Sequence, residues 1–167
     1  GKFFAHQYAN IKPDIVPFAK AVAGGYPSGG CLFTKKVADC MKVGTHGSTF
    51  AGSPMAMGLA NAVLDKMLEP GLDEHILQVS KYFFDQLSKI QNKFPKIIKE
   101  IRGKGLMLGL QFFEEPSKFL KEFYKNKLIM VKASDNVIRI LPPLNVKKKE
   151  IDEGIGIIKK TLQEYKA

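Results

Sequence analysis

The chain has 167 residues, of which 45% are hydrophobic and 25% charged, an ordinary globular composition that argues against a disordered chain and leaves room for one sizeable core or two small ones. Its longest stretch without a formal charge, Val43 to Leu64, is broken by Thr45, His46, Ser48, Thr49, Ser53, Pro54 and Asn61, so a membrane span is excluded. The formal charge of +10 comes from 26 Lys and Arg against 16 Asp and Glu. The main basic runs, Lys147-Lys148-Lys149 and Lys159-Lys160, share their segment with Glu150, Asp152, Glu153 and Glu164. That mixture reads as a solvated helix and not as a nucleic-acid surface. Cys31 and Cys40 have neither disulfide-framework numbers nor metal or redox spacing, which fits a reducing, cytoplasmic setting and no metal site. The first residues, from Gly1 to His6, carry no secretory pattern and read as the middle of a longer protein.

Along the chain, Asp14 to Ala19 is a short apolar run ending at Lys20, followed by a turn with Gly24, Gly25, Pro27, Gly29 and Gly30 and a second apolar run, Cys31 to Thr34: strand, glycine turn, strand. Val43 to Gly52 is a polar loop, and Ser53-Pro54 is the cap and first-turn pair of a helix to about Leu68. Glu69-Pro70-Gly71 breaks it. Ile76, Val79, Phe83, Leu87 and Ile90 then recur at spacings of three and four, one buried helix face, ended by Phe94-Pro95. Ile97 to Phe113 predicts two strands in which Gly103, Gly105 and Gly109 mark bulges or close backbone approach. Pro116 opens a short helix with Phe119, Leu120 and Phe123. Leu128 to Lys132 and Val137 to Leu141 predict strands joined by a turn at Ala133 to Asn136. A last helix from about Lys147 aligns Ile151, Ile155, Ile158 and Leu162. Residues 71–167 therefore predict a compact α+β domain with an antiparallel sheet, and 1–70 the closing part of another domain.

Three features carry possible chemistry. Lys20, at the end of an apolar strand before a glycine turn, predicts a partly desolvated amine able to form a Schiff base with an aldehyde; the alternative is an ordinary surface lysine. The loop Gly44 to Pro54 offers hydroxyls and bare amides ahead of a helix, suited to phosphate or simply a capped helix with a flexible leader; His46 reads as a loop hydrogen-bond donor. Arg139, among Val137, Ile138, Ile140 and Leu141, needs a carboxylate ligand, an internal acid, or a strand edge that points it to water.

Asp14-Ile15 through Ala19-Lys20, the turn through Pro27, the Gly44 to Pro54 loop, Gly103 to Gly109 and Val137 to Leu144 together resemble the class III aminotransferases. The resemblance runs in order over essentially the whole chain. It implies an α/β protein of the fold type I, pyridoxal-phosphate-dependent transferase architecture, with 1–70 the incomplete end of the large cofactor domain and 71–167 the small C-terminal domain. It further implies that Lys20 binds pyridoxal 5'-phosphate covalently and is the catalytic base. Thr49 would bind the cofactor phosphate of the neighbouring subunit in a homodimer, Ser48 would lie near the substrate, and Arg139 would hold the substrate α-carboxylate. The substrates implied are an amino acid and 2-oxoglutarate: N-acetylornithine as donor, as in arginine biosynthesis, or else ornithine, succinyl-diaminopimelate or 4-aminobutyrate. Asp14 is not the acid that pairs with the pyridine nitrogen, which the family places upstream of Gly1. Ala21, Ala23, Ala51 and Ser53 depart from the family pattern, and alanine at a positive φ would strain the turn. A non-catalytic remnant of such an enzyme is the competing reading from another class.

Overall fold

The computed structural model describes residues 1–166, and the chain divides into two compact units, Lys2–Pro70 and the segment from Gly71 onward, with which Gly1 is grouped. In the first unit a 3-10 turn at Ala5–Tyr8 precedes strand β1 (Ile15–Phe18), a second 3-10 turn at Lys20–Ala23, strand β2 (Gly30–Phe33), a short helix α1 (Lys35–Ala38) and helix α2 (Pro54–Met67). β1 and β2 form an antiparallel ribbon with Ile15 opposite Phe33 and Phe18 opposite Gly30. Gly30 lets the Phe18 ring lie over the β2 backbone, since a Cβ there would sit 2.5 Å from Cζ of Phe18 and displace the ring. The only buried residues in Lys2–Pro70 are Ala23 and Ala56, while Leu32, Phe33, Phe50, Met55, Met57 and Leu68 are exposed. Two alanines supply almost no hydrophobic stabilisation, so what steadies this unit is chiefly the hydrogen bonding of the ribbon and the packing of the Lys20–Ala23 turn on α2.

The second unit runs α3 (Leu72–Lys93), β3 (Ile98–Lys104), β4 (Met107–Phe112), α4 (Ser117–Lys125), β5 (Val131–Lys132), β6 (Val137–Ile140) and α5 (Lys148–Lys166). Its strands order as β3-β4-β6-β5, with every neighbouring pair antiparallel. Strand alternation sends Leu108, Leu110, Phe112, Ile138 and Ile140 into one core with Val79, Phe83, Leu87 and Ile90 of α3, Phe119 and Phe123 of α4, and Ile151, Ile158 and Leu162 of α5. The opposite sheet face carries Glu100, Arg102, Gln111 and Arg139. The predicted α+β layout and all three helix faces are thus present.

Two details differ from the sequence reading. The bulge in β3 lies between Ile98 and Glu100 and not at a glycine, while Gly103 does mark a close backbone approach, to the Met107 carbonyl. Gly105 instead begins the two-residue connection between β3 and β4 at φ +58°, as type II′ hairpins require. Leu128 to Met130 is not strand, because α4 ends in a Schellman motif. Lys127 takes φ +63°, its amide donates to the Tyr124 carbonyl at 2.9 Å, and the Leu128 amide donates to the Phe123 carbonyl at 2.9 Å. The Leu128 amide is spent on the cap and cannot enter a ladder.

Candidate functional site

Beyond the carboxyl end of β1 the chain passes through Ala19 and places Lys20 at φ +65°, a left-handed backbone at a residue with a full side chain. Such a conformation costs about 1 kcal/mol and is held by its surroundings. Here Ala23 is buried, the Gly24 amide donates to the Ala21 carbonyl at 3.0 Å and the Tyr26 amide to the Ala23 carbonyl at 3.1 Å. Gly24 and Gly25 take φ +64° and +104°, and the turn packs on α2 with Gly24 against Val63. The positive φ values therefore fall on Lys20, Gly24 and Gly25, so Ala21 and Ala23 carry no such strain; nor do Ala51 and Ser53, since Gly44 and Gly52 take that geometry in the following loop. Within these residues the Lys20 side chain is exposed. Among the described residues its Nζ has no hydrogen-bond or ion-pair partner.

Asp14 is taken up structurally. Thr34 Oγ1 donates to Asp14 Oδ1 at 3.0 Å and the Thr34 amide to the Asp14 carbonyl at 3.0 Å, closing the open end of the ribbon just ahead of α1.

The loop from Gly44 to Gly52 is exposed throughout. Ser53 and Pro54 begin α2 as the sequence suggests, but the Ser53 hydroxyl makes no capping bond. The loop is fastened instead by Thr45, whose Oγ1 donates to the Lys42 carbonyl at 2.6 Å and accepts the Lys42 amide at 3.0 Å. His46, expected to donate within the loop, makes no hydrogen bond among the described residues. The Ser48 and Thr49 hydroxyls likewise have no partner among the described residues. No hydrogen bond joins them to Lys20; α2 connects the two features, leading out of the loop and supporting the lysine turn.

Arg139 belongs to the other unit. β6 is an inner strand between β4 and β5, yet Arg139 is exposed because it points from the sheet face opposite the helices. No internal acid pairs with it among the described residues. The other arginine, Arg102, is by contrast fully engaged: Nε donates to Glu100 Oε2 at 2.9 Å and Nη2 to Gln111 Oε1 at 2.9 Å. Gln111 is the polar side chain that sequence reasoning passes over. Its one signal is its position, a lone amide within Met107 to Phe113.

The chain matches the family model "Aminotransferase class-III" over residues 1–162. It is 43% identical over 159 residues to an acetylornithine aminotransferase of Mesorhizobium japonicum, covering 95% of this chain and 40% of the relative. The crystal structure of acetylornithine aminotransferase from Elizabethkingia anophelis superposes with a TM-score of 0.89 at 30% identity, covering 98% of this chain and 44% of that one. The ornithine aminotransferase from Toxoplasma gondii ME49 does so with a TM-score of 0.90 at 25% identity, covering 99% and 40%. The chain thus spans about two fifths of the length of the curated relatives it matches. With a family match over nearly its whole length and the fold of solved aminotransferases, the chain belongs to the class III aminotransferases.

Proposed function

We propose that the protein is a pyridoxal-phosphate-dependent transaminase that moves an amino group from N-acetylornithine to 2-oxoglutarate, a step of arginine biosynthesis. The observation that carries this reading is Lys20: an exposed amine without a partner among the described residues, set on a left-handed turn at the carboxyl end of a strand. Such an amine fits the aldehyde of the cofactor. The similarity to proteins named acetylornithine aminotransferase favours the donor.

In this reading Lys20 holds pyridoxal 5'-phosphate, and the exposed Thr49 hydroxyl meets the cofactor phosphate of a second subunit, so that the protein works as a homodimer. The bound cofactor supplies the electron sink for the charge left at the substrate α-carbon. With the cofactor bound, the Lys20 amine would be the base that moves the proton at the substrate α-carbon. The Ser48 hydroxyl lies beside the substrate. Arg139 offers a planar pair of N–H donors that hold the α-carboxylate and orient the Cα–H bond.

The test is glutamate formation by the complete protein from 2-oxoglutarate with N-acetylornithine, ornithine, succinyl-diaminopimelate or 4-aminobutyrate as donor. The proposal expects the largest kcat/KM with N-acetylornithine and nearly total loss in Lys20→Ala. A preference for another donor contradicts the substrate assignment; activity that survives Lys20→Ala contradicts the assignment of the lysine.

A further inference from the structure

The register of the four-stranded sheet sets Arg102, Gly109 and Arg139 in one row across β3, β4 and β6, with Glu100, Gln111 and Val137 in the next. These residues share the sheet face that the helices leave uncovered. Gly109 puts no side chain between the two arginines, and a Cβ there would lie 2.8 Å from Cγ1 of Val137. No β4 side chain therefore lies beside Arg139 in this row, and the place from which it projects is set by the path of β6.

That path begins at a turn. Asp135 and Asn136 take φ +58° and +57°, as in a type I′ hairpin, and the Val137 amide donates to the Ser134 carbonyl at 3.2 Å. The neighbouring strand β5 has only two residues, so the ladder on that side gives the turn little support. Its support comes from the other side. Gln111, only 6% exposed, uses both ends of its amide: Oε1 accepts from Arg102 Nη2 at 2.9 Å, and Nε2 donates to the Asp135 carbonyl at 3.1 Å. Arg102 is itself fixed by Glu100, and its Nη1 lies 3.9 Å from Asp135 Oδ2. One arginine of the row is spent on holding structure, and the other has no partner among the described residues.

We infer that Arg102, Gln111 and Asp135 form a clamp that fixes the β5–β6 turn and so sets where Arg139 presents its guanidinium, which makes Gln111 a positioning residue for carboxylate binding. The inference rests on the reading of Arg139 as the carboxylate anchor. A buried amide satisfied at both ends holds a unique geometry, and a small displacement of a bidentate anchor weakens the ligand it orients.

The experiment compares the parent, Gln111→Met, Leu110→Ala and Arg139→Gln in the full chain, reading amide exchange at Ala133 and Val137 and the affinity for glutarate, a dicarboxylate that cannot react. Gln111→Met keeps the side-chain volume and removes both hydrogen bonds. It should speed exchange at the two turn amides about tenfold and weaken glutarate about tenfold. Leu110→Ala, a cavity on the helix-covered face, should lower the unfolding midpoint and move neither. Unchanged turn exchange and glutarate affinity in Gln111→Met overturn the inference, and so does an equal loss of glutarate affinity in Leu110→Ala. Glutarate binding that survives Arg139→Gln, or that the parent lacks, overturns the carboxylate reading and the positioning role with it, while turn exchange still decides whether the clamp exists.

Discussion

Gly103 lies so close to Met107 across the β3–β4 hairpin that a Cβ on Gly103 would sit 2.0 Å from the Met107 carbonyl oxygen. The approach is between backbone atoms, which no side-chain rearrangement relieves. Gly103 also takes φ +126°. Gly105, two residues on, has φ +58° but nothing within 4 Å of where its Cβ would lie. The two glycines therefore predict different costs. Gly103→Ala should destabilise by about 3–5 kcal/mol, combining clash and backbone strain. Gly105→Ala, with strain alone, should lose about 1–2 kcal/mol. Denaturant unfolding followed by far-ultraviolet circular dichroism measures both, and equal losses would contradict the structure of the hairpin.

Thr161 is 3% exposed on α5, and its Oγ1 is buried without a hydrogen-bond partner among the described residues. A buried hydroxyl left unsatisfied pays for its desolvation without return. Thr161→Val keeps the shape and removes the polar atom, so it should stabilise the protein by about 1 kcal/mol. A lower thermal midpoint in this variant would mean that the hydroxyl has a partner in solution.

At the start of α4, Glu115 accepts from Lys132 and Ser117, and these bonds lower its carboxyl from 4.5 to about 2. The Lys132 hydrogen bond is the largest cause, followed by the Ser117 hydroxyl. A depressed carboxyl contributes stability above its unfolded pKa and loses it as the pH falls through the folded value. The contribution should be complete above about pH 4.5 and gone near pH 2. Glu115→Gln should make the fall in the urea midpoint shallower across that window and leave its slope at neutral pH unchanged. Because all partners are exposed, the change is small; identical acid limbs in parent and variant would contradict the assignment.

The parts of this molecule that were legible in the sequence are those whose cause is local. The spacing of Val79, Phe83, Leu87 and Ile90 is a property of one helix, and each of these residues is buried. The turn at Asp135-Asn136 follows from residues that tolerate a left-handed backbone. What the sequence did not reveal depends on contacts far along the chain or on competing demands for one group. Leu128 reads as a strand residue, but its amide serves the cap of α4. Gln111 reads as an interruption of an apolar run, and its role emerges only when Arg102 and Asp135 are brought beside it. At the site, the position of Lys20 beyond the carboxyl end of β1 could be anticipated, but its left-handed backbone at φ +65° could not, since nothing in a lysine side chain favours that conformation. The loop was legible as a loop; that Thr45 and not His46 fastens it was not.

Lys20 is the residue on which the proposed chemistry turns. Borohydride reduction of the protein after addition of pyridoxal 5'-phosphate, followed by peptide mass spectrometry, tests it most directly, because the remaining lysines provide an internal control on random labelling. A single dominant phosphopyridoxyl label is expected at Lys20, abolished in Lys20→Ala without a compensating label elsewhere. Label spread across the exposed lysines, with Lys20 no more reactive than Lys35 or Lys36, would contradict it.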